Sequence, residues 1–173
     1  MKSHTASVLA FVLVATVACG SGTPGTDAGS PAPPGQASSG TADACAMLTA
    51  ATISAAVGNP VKAGQPNAGP EVCKWDTDDQ DQVSVLLTVR LAGSIRAPIL
   101  CDDVQKGNSG TPVPGVGDAS GWKYSKMADL FSSGDLEVCS GGHFVALSLN
   151  GRLDEPAMKE AAVALAREVL GRL

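Results

Sequence analysis

The chain has 173 residues, with 12 Lys and Arg against 17 Asp and Glu, a net charge of −5 and 3% aromatic residues. No basic stripe or aromatic platform is present to neutralise phosphates or stack bases, so nucleic-acid binding is not expected. The length suits one ordinary domain once the ends are set aside.

The first 18 residues read as a leader. Lys2 and His4 form a short basic region, and Ala6 to Val17 is an apolar run of 12 residues. A helix needs roughly 20 residues to cross a bilayer, so this run fits the core of a signal peptide and not a membrane span. It ends in Thr16-Val17-Ala18-Cys19. Small residues before a cysteine resemble the lipobox of bacterial lipoproteins, with Thr16 where Leu is usual. The resemblance implies that residues 1–18 are removed, and that Cys19 carries diacylglycerol and an amide-linked acyl chain such as palmitate. The protein would then be lipid-anchored at the cell membrane, facing outside the cytoplasm. Loss of Lys2 takes the net charge from −5 to −6.

Gly20 to Ala42 follows as a tether. Of its 23 residues, 21 are Gly, Pro, Ser, Thr or Ala. Such a segment cannot bury enough surface to offset its ordering entropy and is expected to be disordered. Its mean reach is roughly 25–30 Å. The rest, residues 43–173, is expected to fold as one domain.

Four cysteines remain in that domain: Cys45, Cys73, Cys101 and Cys139. An even number in an exported chain predicts two disulfides. Three pairings are open; Cys45–Cys73 with Cys101–Cys139 is preferred, because each bridge closes within one half of the domain. Zinc is not expected, since no Cys-x-x-Cys occurs and His143 is the only histidine after the leader.

Thr49 is placed to cap a helix running to Val57, which Gly58 and Pro60 end. Val72 to Trp75 reads as a strand, followed by a turn from Asp76 to Asp81. From Val83 to Leu91 the residues alternate, with Val83, Val85, Leu87, Val89 and Leu91 on one side, so the spacing predicts a strand packed on one face. Ala97 to Lys106 predicts a short helix with Pro98 near its start. Gly121 to Ser125 reads as a strand with Trp122 and Tyr124 on one face. Leu136 to Cys139 and Phe144 to Leu149 flank the Ser140-Gly141-Gly142 turn of a hairpin. Asp154 caps a last helix, with Pro156 in its first turn and Met158, Ala162, Leu165, Val169 and Leu173 as its apolar stripe. The fold class expected is α+β: an antiparallel sheet with N- and C-terminal helices packed on one face, stapled by two disulfides. The order of elements hints at two similar halves, but the residues do not align as a repeat.

Cys45-Ala46-Met47-Leu48-Thr49, Val57-Gly58-Asn59-Pro60-Val61 and Cys73-Lys74-Trp75 together resemble an uncharacterised family of actinobacterial lipoproteins. Members of that family read Cys-x-Leu-Leu-Thr, Leu-Gly-x-Pro-Val and Cys-x-Trp or Cys-x-Tyr. Val113-Pro114-Gly115-Val116-Gly117-Asp118-Ala119 fits the same pattern. The resemblance implies the fold, the disulfides and the address only; the group has no settled activity, and sensing or ligand binding is the suspected role of related extracellular domains.

Several fragments resemble chemistry without completing it. Gly107-Asn108-Ser109-Gly110-Thr111-Pro112 is similar to the nucleophile loop of trypsin-like proteases, but the upstream histidine base that mechanism needs is absent. Gly115-x-Gly117 is not a dinucleotide fingerprint, because Ser120 stands at the third glycine position and no helix is predicted to follow. Asp76, Asp78, Asp79 and Asp81 are spaced somewhat like a calcium loop, but Asp81 replaces its turn glycine and Leu87 its bidentate Glu. Trp75 and Trp122 are expected as core anchors and not as a ligand cage. No cofactor is expected. The reading is a non-catalytic domain that binds a small molecule, a lipid or a protein partner at the cell envelope; the alternative is an envelope hydrolase with an unrecognised site.

Overall fold

The computed structural model describes residues 41–78, 83–127 and 131–173. The leader, Cys19 and nearly all of the tether lie outside the described residues, as do Asp79 and Asp81 of the acidic cluster. All described residues fall within one compact unit, Gln36–Leu173.

The chain forms α1 (Ala44–Met47), α2 (Ala50–Val57), β1 (Gln65–Pro66), β2 (Val72–Asp76) and β3 (Val83–Arg90). It continues with α3 (Ala97–Gln105), β4 (Thr111–Pro112), β5 (Ala119–Met127), β6 (Phe131–Ser140), β7 (His143–Gly151) and α4 (Glu155–Leu170). The strands make one antiparallel sheet in the order β1-β2-β3-β7-β6-β5-β4. The expected α+β class is therefore the observed one. The two sequence halves meet where β3 pairs with β7, Val85 opposite Leu149 and Leu87 opposite Leu147.

Alternation decides the layers. In β3 each odd-numbered residue is buried and each even-numbered one half-buried. The buried row, Val83, Val85, Leu87 and Val89, joins Trp75, Leu136, Val138, Val145, Leu147 and Leu149 in one core. Ile53 and Val57 of α2 and Met158, Ala162, Leu165 and Val169 of α4 close that core from the same side. Both helices carry the predicted caps: the Thr49 hydroxyl accepts the Thr52 amide at 3.1 Å, and the Asp154 carboxylate accepts the Ala157 amide at 2.9 Å. Gly58 ends α2 at φ 72°, a left-handed turn that a side chain would oppose. Leu173 departs from the predicted stripe. It lies beyond α4 and is exposed, because the helix stops at Leu170.

The third helix packs on the opposite face. Ala97, Cys101 and Val104 of α3 bury against Cys139 and Phe144, a cluster separate from the main core. Cys139 and Phe144 are partners in the β6–β7 register, one residue out of phase with the core pair Val138 and Val145. A strand places neighbours on opposite faces, so α3 sits across the sheet from α2 and α4.

The disulfides are those preferred from the sequence. Cys45–Cys73 ties α1 to β2 with Cα atoms 5.0 Å apart, and Cys101–Cys139 ties α3 to β6 at 5.4 Å.

One turn is strained. Ala68 has φ 61°, the sole positive value among the described non-glycine residues. A left-handed alanine costs about 1–2 kcal/mol, partly offset in a glycine by greater unfolded-state entropy. Ala68→Gly is therefore expected to stabilise the domain by up to about 1 kcal/mol. Urea unfolding should show a higher midpoint at unchanged slope.

Candidate functional site

Most residues that suggested chemistry are consumed by the fold. Trp75 is 1% exposed, and a Cβ at Gly64 would stand 2.6 Å from its ring nitrogen. Trp122 is also buried, and its Nε1 donates to Glu155 Oε1 at 3.2 Å. Both rings are core anchors. The Nδ1 of His143 accepts the Ala92 amide at 3.2 Å, pinning the β6–β7 turn to the end of β3. Lys74 pairs with Asp76 at 2.9 Å and Lys62 with Asp78 at 3.2 Å, so the described part of the acidic cluster is balanced by lysines. No cluster of three metal-ligating side chains occurs among the described residues.

The Gly107–Pro112 loop has a structural role of its own. Ser109 is 2% exposed, and its hydroxyl donates to the Glu137 carboxylate of β6. Asn108 Nδ2 donates to Asp103 Oδ1 at 3.3 Å. A Cβ on Gly121 would stand 2.6 Å from the Ser109 carbonyl oxygen, so loop and β5 meet backbone to backbone. Glu137→Ala is expected to strand the Ser109 hydroxyl and to cost about 1–3 kcal/mol in thermal or urea unfolding. Nothing in the sequence paired these two residues, which lie 28 positions apart. After Gly115 and Gly117 comes β5, a strand, as the rejection of a dinucleotide site requires.

Two shallow openings flank α3. A groove of about 250 Å³ runs between its C-terminal end and the loop from Gly110 to Ser120. Two of its polar side chains are committed: Asp118 Oδ2 accepts the Gly141 amide at 2.8 Å, and the Ser120 hydroxyl donates to the Val113 carbonyl at 2.7 Å. At the rim of the groove's helix, the Lys106 ammonium is held above its ordinary pKa, first by its hydrogen bond to Asp102 and then by that carboxylate's charge. A raised folded-state value means that this contribution is present at neutral pH and is lost only as pH rises through it.

The second opening, also about 250 Å³, is lined by Glu71, Arg90, Ser94, Ile95 and Arg96. Arg90 and Glu71 form a half-buried ion pair on its floor. Ser94 accepts the Ala97 amide at 3.2 Å and so begins α3, whose formal cap, Arg96, makes no side-chain bond. The buried row of α3 is Ala97, Cys101 and Val104. Ile95, just before the Arg96 cap, and Ile99, in the first turn of α3, are exposed at 89% and 62%. These are the largest exposures among the described large apolar side chains.

This opening lies where the tether joins the domain. The Ala44 amide donates to the Pro70 carbonyl at 2.8 Å, and the Val89 amide to the Glu71 carbonyl at 2.9 Å. The first described residues, the Glu71–Arg90 pair and the Ile95 corner thus share one end of the sheet, where β2 starts and β3 finishes. The sequence predicts a helix over Ala97–Lys106 and singles out neither Ile95 nor Ile99. Their exposure follows from the face on which α3 packs, which no local pattern reveals.

No family model matches the chain, and neither a curated protein nor a solved structure does. The fold and site define an α+β domain with a seven-stranded antiparallel sheet, two intrachain disulfides and an apolar corner at one end.

Proposed function

We propose that the protein is a membrane-anchored lipoprotein whose extracytoplasmic domain is a non-catalytic module acting by surface contact with a component of the cell envelope. The anchor reading rests on the apolar run ending in Thr16-Val17-Ala18-Cys19. The resemblance to actinobacterial lipoproteins supports the same address.

The observation that carries the contact reading is the division of labour among side chains. Ser109, His143, Trp75 and Trp122 are engaged in packing or hydrogen bonds, and the four domain cysteines in disulfides. What stands free to the outside is the apolar pair Ile95 and Ile99. Both openings beside α3 are shallow grooves and suit contact better than enclosure of a small ligand. No helix among the described residues is long and apolar enough to cross a membrane.

The test has two arms. Cys19→Ser is expected to abolish fatty-acid labelling and to release the chain from the membrane; a variant that still labels and stays bound would remove the anchor. The purified mature protein should show no turnover above background on esters, peptides, glycosides or phosphates. Turnover that His143→Ala or Ser109→Ala eliminates would establish the hydrolase instead.

A further inference from the structure

We infer that Ile95 and Ile99, with Arg96 between them, form a second point of attachment to the membrane. The two isoleucines enter the boundary between headgroups and acyl chains beneath the tethered domain. The inference rests on the anchor proposed above and names the envelope component that the surface contacts, the bilayer itself.

Three observations carry it. The first is the helix. α3 already has a buried face, closed by the Cys101–Cys139 bridge, so Ile95 and Ile99 are surplus to its packing. Ile95 lies just before the Arg96 cap and Ile99 in the first turn, on a segment tied by the Ala97 amide to the Ser94 hydroxyl and shaped by Pro98.

The second is position. The described chain begins at residue 41, and its first anchored amide, Ala44, bonds to Pro70 next to Glu71. Glu71 and Ile95 line the same opening. The tether therefore leaves the domain from the end that carries the isoleucines, and an anchor at Cys19 draws that end toward the lipid. Ala42 is already part of the core, so the proposed tether is the 21 residues from Gly20 to Gly40; as a flexible coil it would reach roughly 23–27 Å on average, which permits contact without forcing it. Two isoleucines alone bind a bilayer weakly. Tethering raises the local concentration of the surface to about the millimolar range, where a weak contact becomes populated.

The third is charge. Arg96 is exposed and makes no ion pair among the described residues. At the same end, Arg90 is neutralised by Glu71, and Arg172 pairs with Glu168 at 2.7 Å. The acids of α3 lie toward its other end, where Asp102 pairs with Lys106 and Asp103 accepts from Asn108. A basic side chain beside exposed isoleucines suits an anionic bilayer surface, the arrangement found in interfacial segments.

The test uses the chain from Cys19 to Leu173, coupled through the Cys19 thiol to a maleimide lipid in phosphatidylglycerol vesicles. Coupling supplies the anchor whether or not the cell acylates Cys19, so mass analysis of the native N-terminus decides the anchor separately. Trp75 and Trp122 are buried, which leaves the emission of an added tryptophan distinguishable. In Ile95→Trp, insertion to a depth of about 5–10 Å predicts a blue shift and quenching by lipids brominated along the acyl chain. Ser125→Trp, at an exposed site toward the opposite end of β5, should show neither. The double variant Ile95→Trp/Ile99→Ser should lose much of the quenching while keeping its fold by circular dichroism. Unquenched, solvent-like emission from Ile95→Trp, or equal quenching at Ser125→Trp, would overturn the proposal.

Discussion

Replacing Cys45 and Cys73 together by Ala is expected to lower the stability of the domain by about 3.6 kcal/mol. The bridge closes a separation of 28 residues, and restoring that freedom to the unfolded chain gives the figure in the chain-entropy model. The native state also loses an anchor. α1 has only 4 residues and holds no helix of its own accord; the bridge and the Asp43 cap keep it on β2. Cys73 is fully buried beside Trp75, so Ala leaves a small void as well. The midpoint should fall by roughly 10–20 °C for a domain of this size. Calorimetry should place the variant between the oxidised parent and the reduced parent, since reduction also opens Cys101–Cys139. A fall of only a degree or two would show that α1 is held by packing alone. The bridge from Cys101 to Cys139 spans 38 residues and is expected to give about 3.9 kcal/mol by the same reasoning.

Gly110→Ala is expected to cost about 3 kcal/mol or more. The backbone there has φ 101°, outside the regions open to L-residues, and its Cβ would fall inside contact distance of the Trp122 carbonyl oxygen. The first effect costs about 1–3 kcal/mol and the second a similar amount, since the obstacle is backbone and cannot rotate away. Displacing Gly110 would also pull Ser109 from Glu137. Gly107→Ala is the matched control. Its φ of 78° is equally positive, but its Cβ would meet nothing within 4 Å. About 1 kcal/mol is expected there. Equal losses at the two positions in urea unfolding would show that dihedral strain alone matters and that close packing on β5 does not.

Both positions show what local sequence conveys and what it withholds. The alternation from Val83 onward predicted a strand buried on one side, because the pleat repeats every two residues whatever lies alongside. Thr49, Gly58 and Asp154 marked helix ends because capping is also local. The first half of β6, Phe131-Ser132-Ser133-Gly134-Asp135, carries little strand propensity and was not foreseen. It is a strand because β5 and β7 hold it on either side. The short segments α1, β1 and β4 were missed for the same reason: two to four residues have no period to read. The cysteine pairing was legible from spacing. The side of the sheet taken by α3 was not, and with it went the exposure of Ile95 and Ile99, since an apolar pair reads alike whether it points inward or out.

The edges of the sheet bear on how such domains behave when crowded in two dimensions. β1 and β4 are each two residues long and each contains a proline, Pro66 and Pro112. Beyond β1, the outer rim of β2 is covered along its length, with the Lys62 amide bonded to the Asp76 carbonyl at 2.9 Å and the Asn67 amide to the Val72 carbonyl at 2.8 Å. On the other side Val113 extends the cover over β5, and past it stand the charged side chains Lys123 and Lys126. Prolines and lysines at an edge deny a neighbouring chain the ladder it would need to add a strand. If the proposed anchor confines copies to one leaflet, they meet far more often than the same number in solution. Rims covered on one side and guarded by lysines on the other would let such copies collide without adding strands to one another, and would leave a protein partner the faces and corners of the domain.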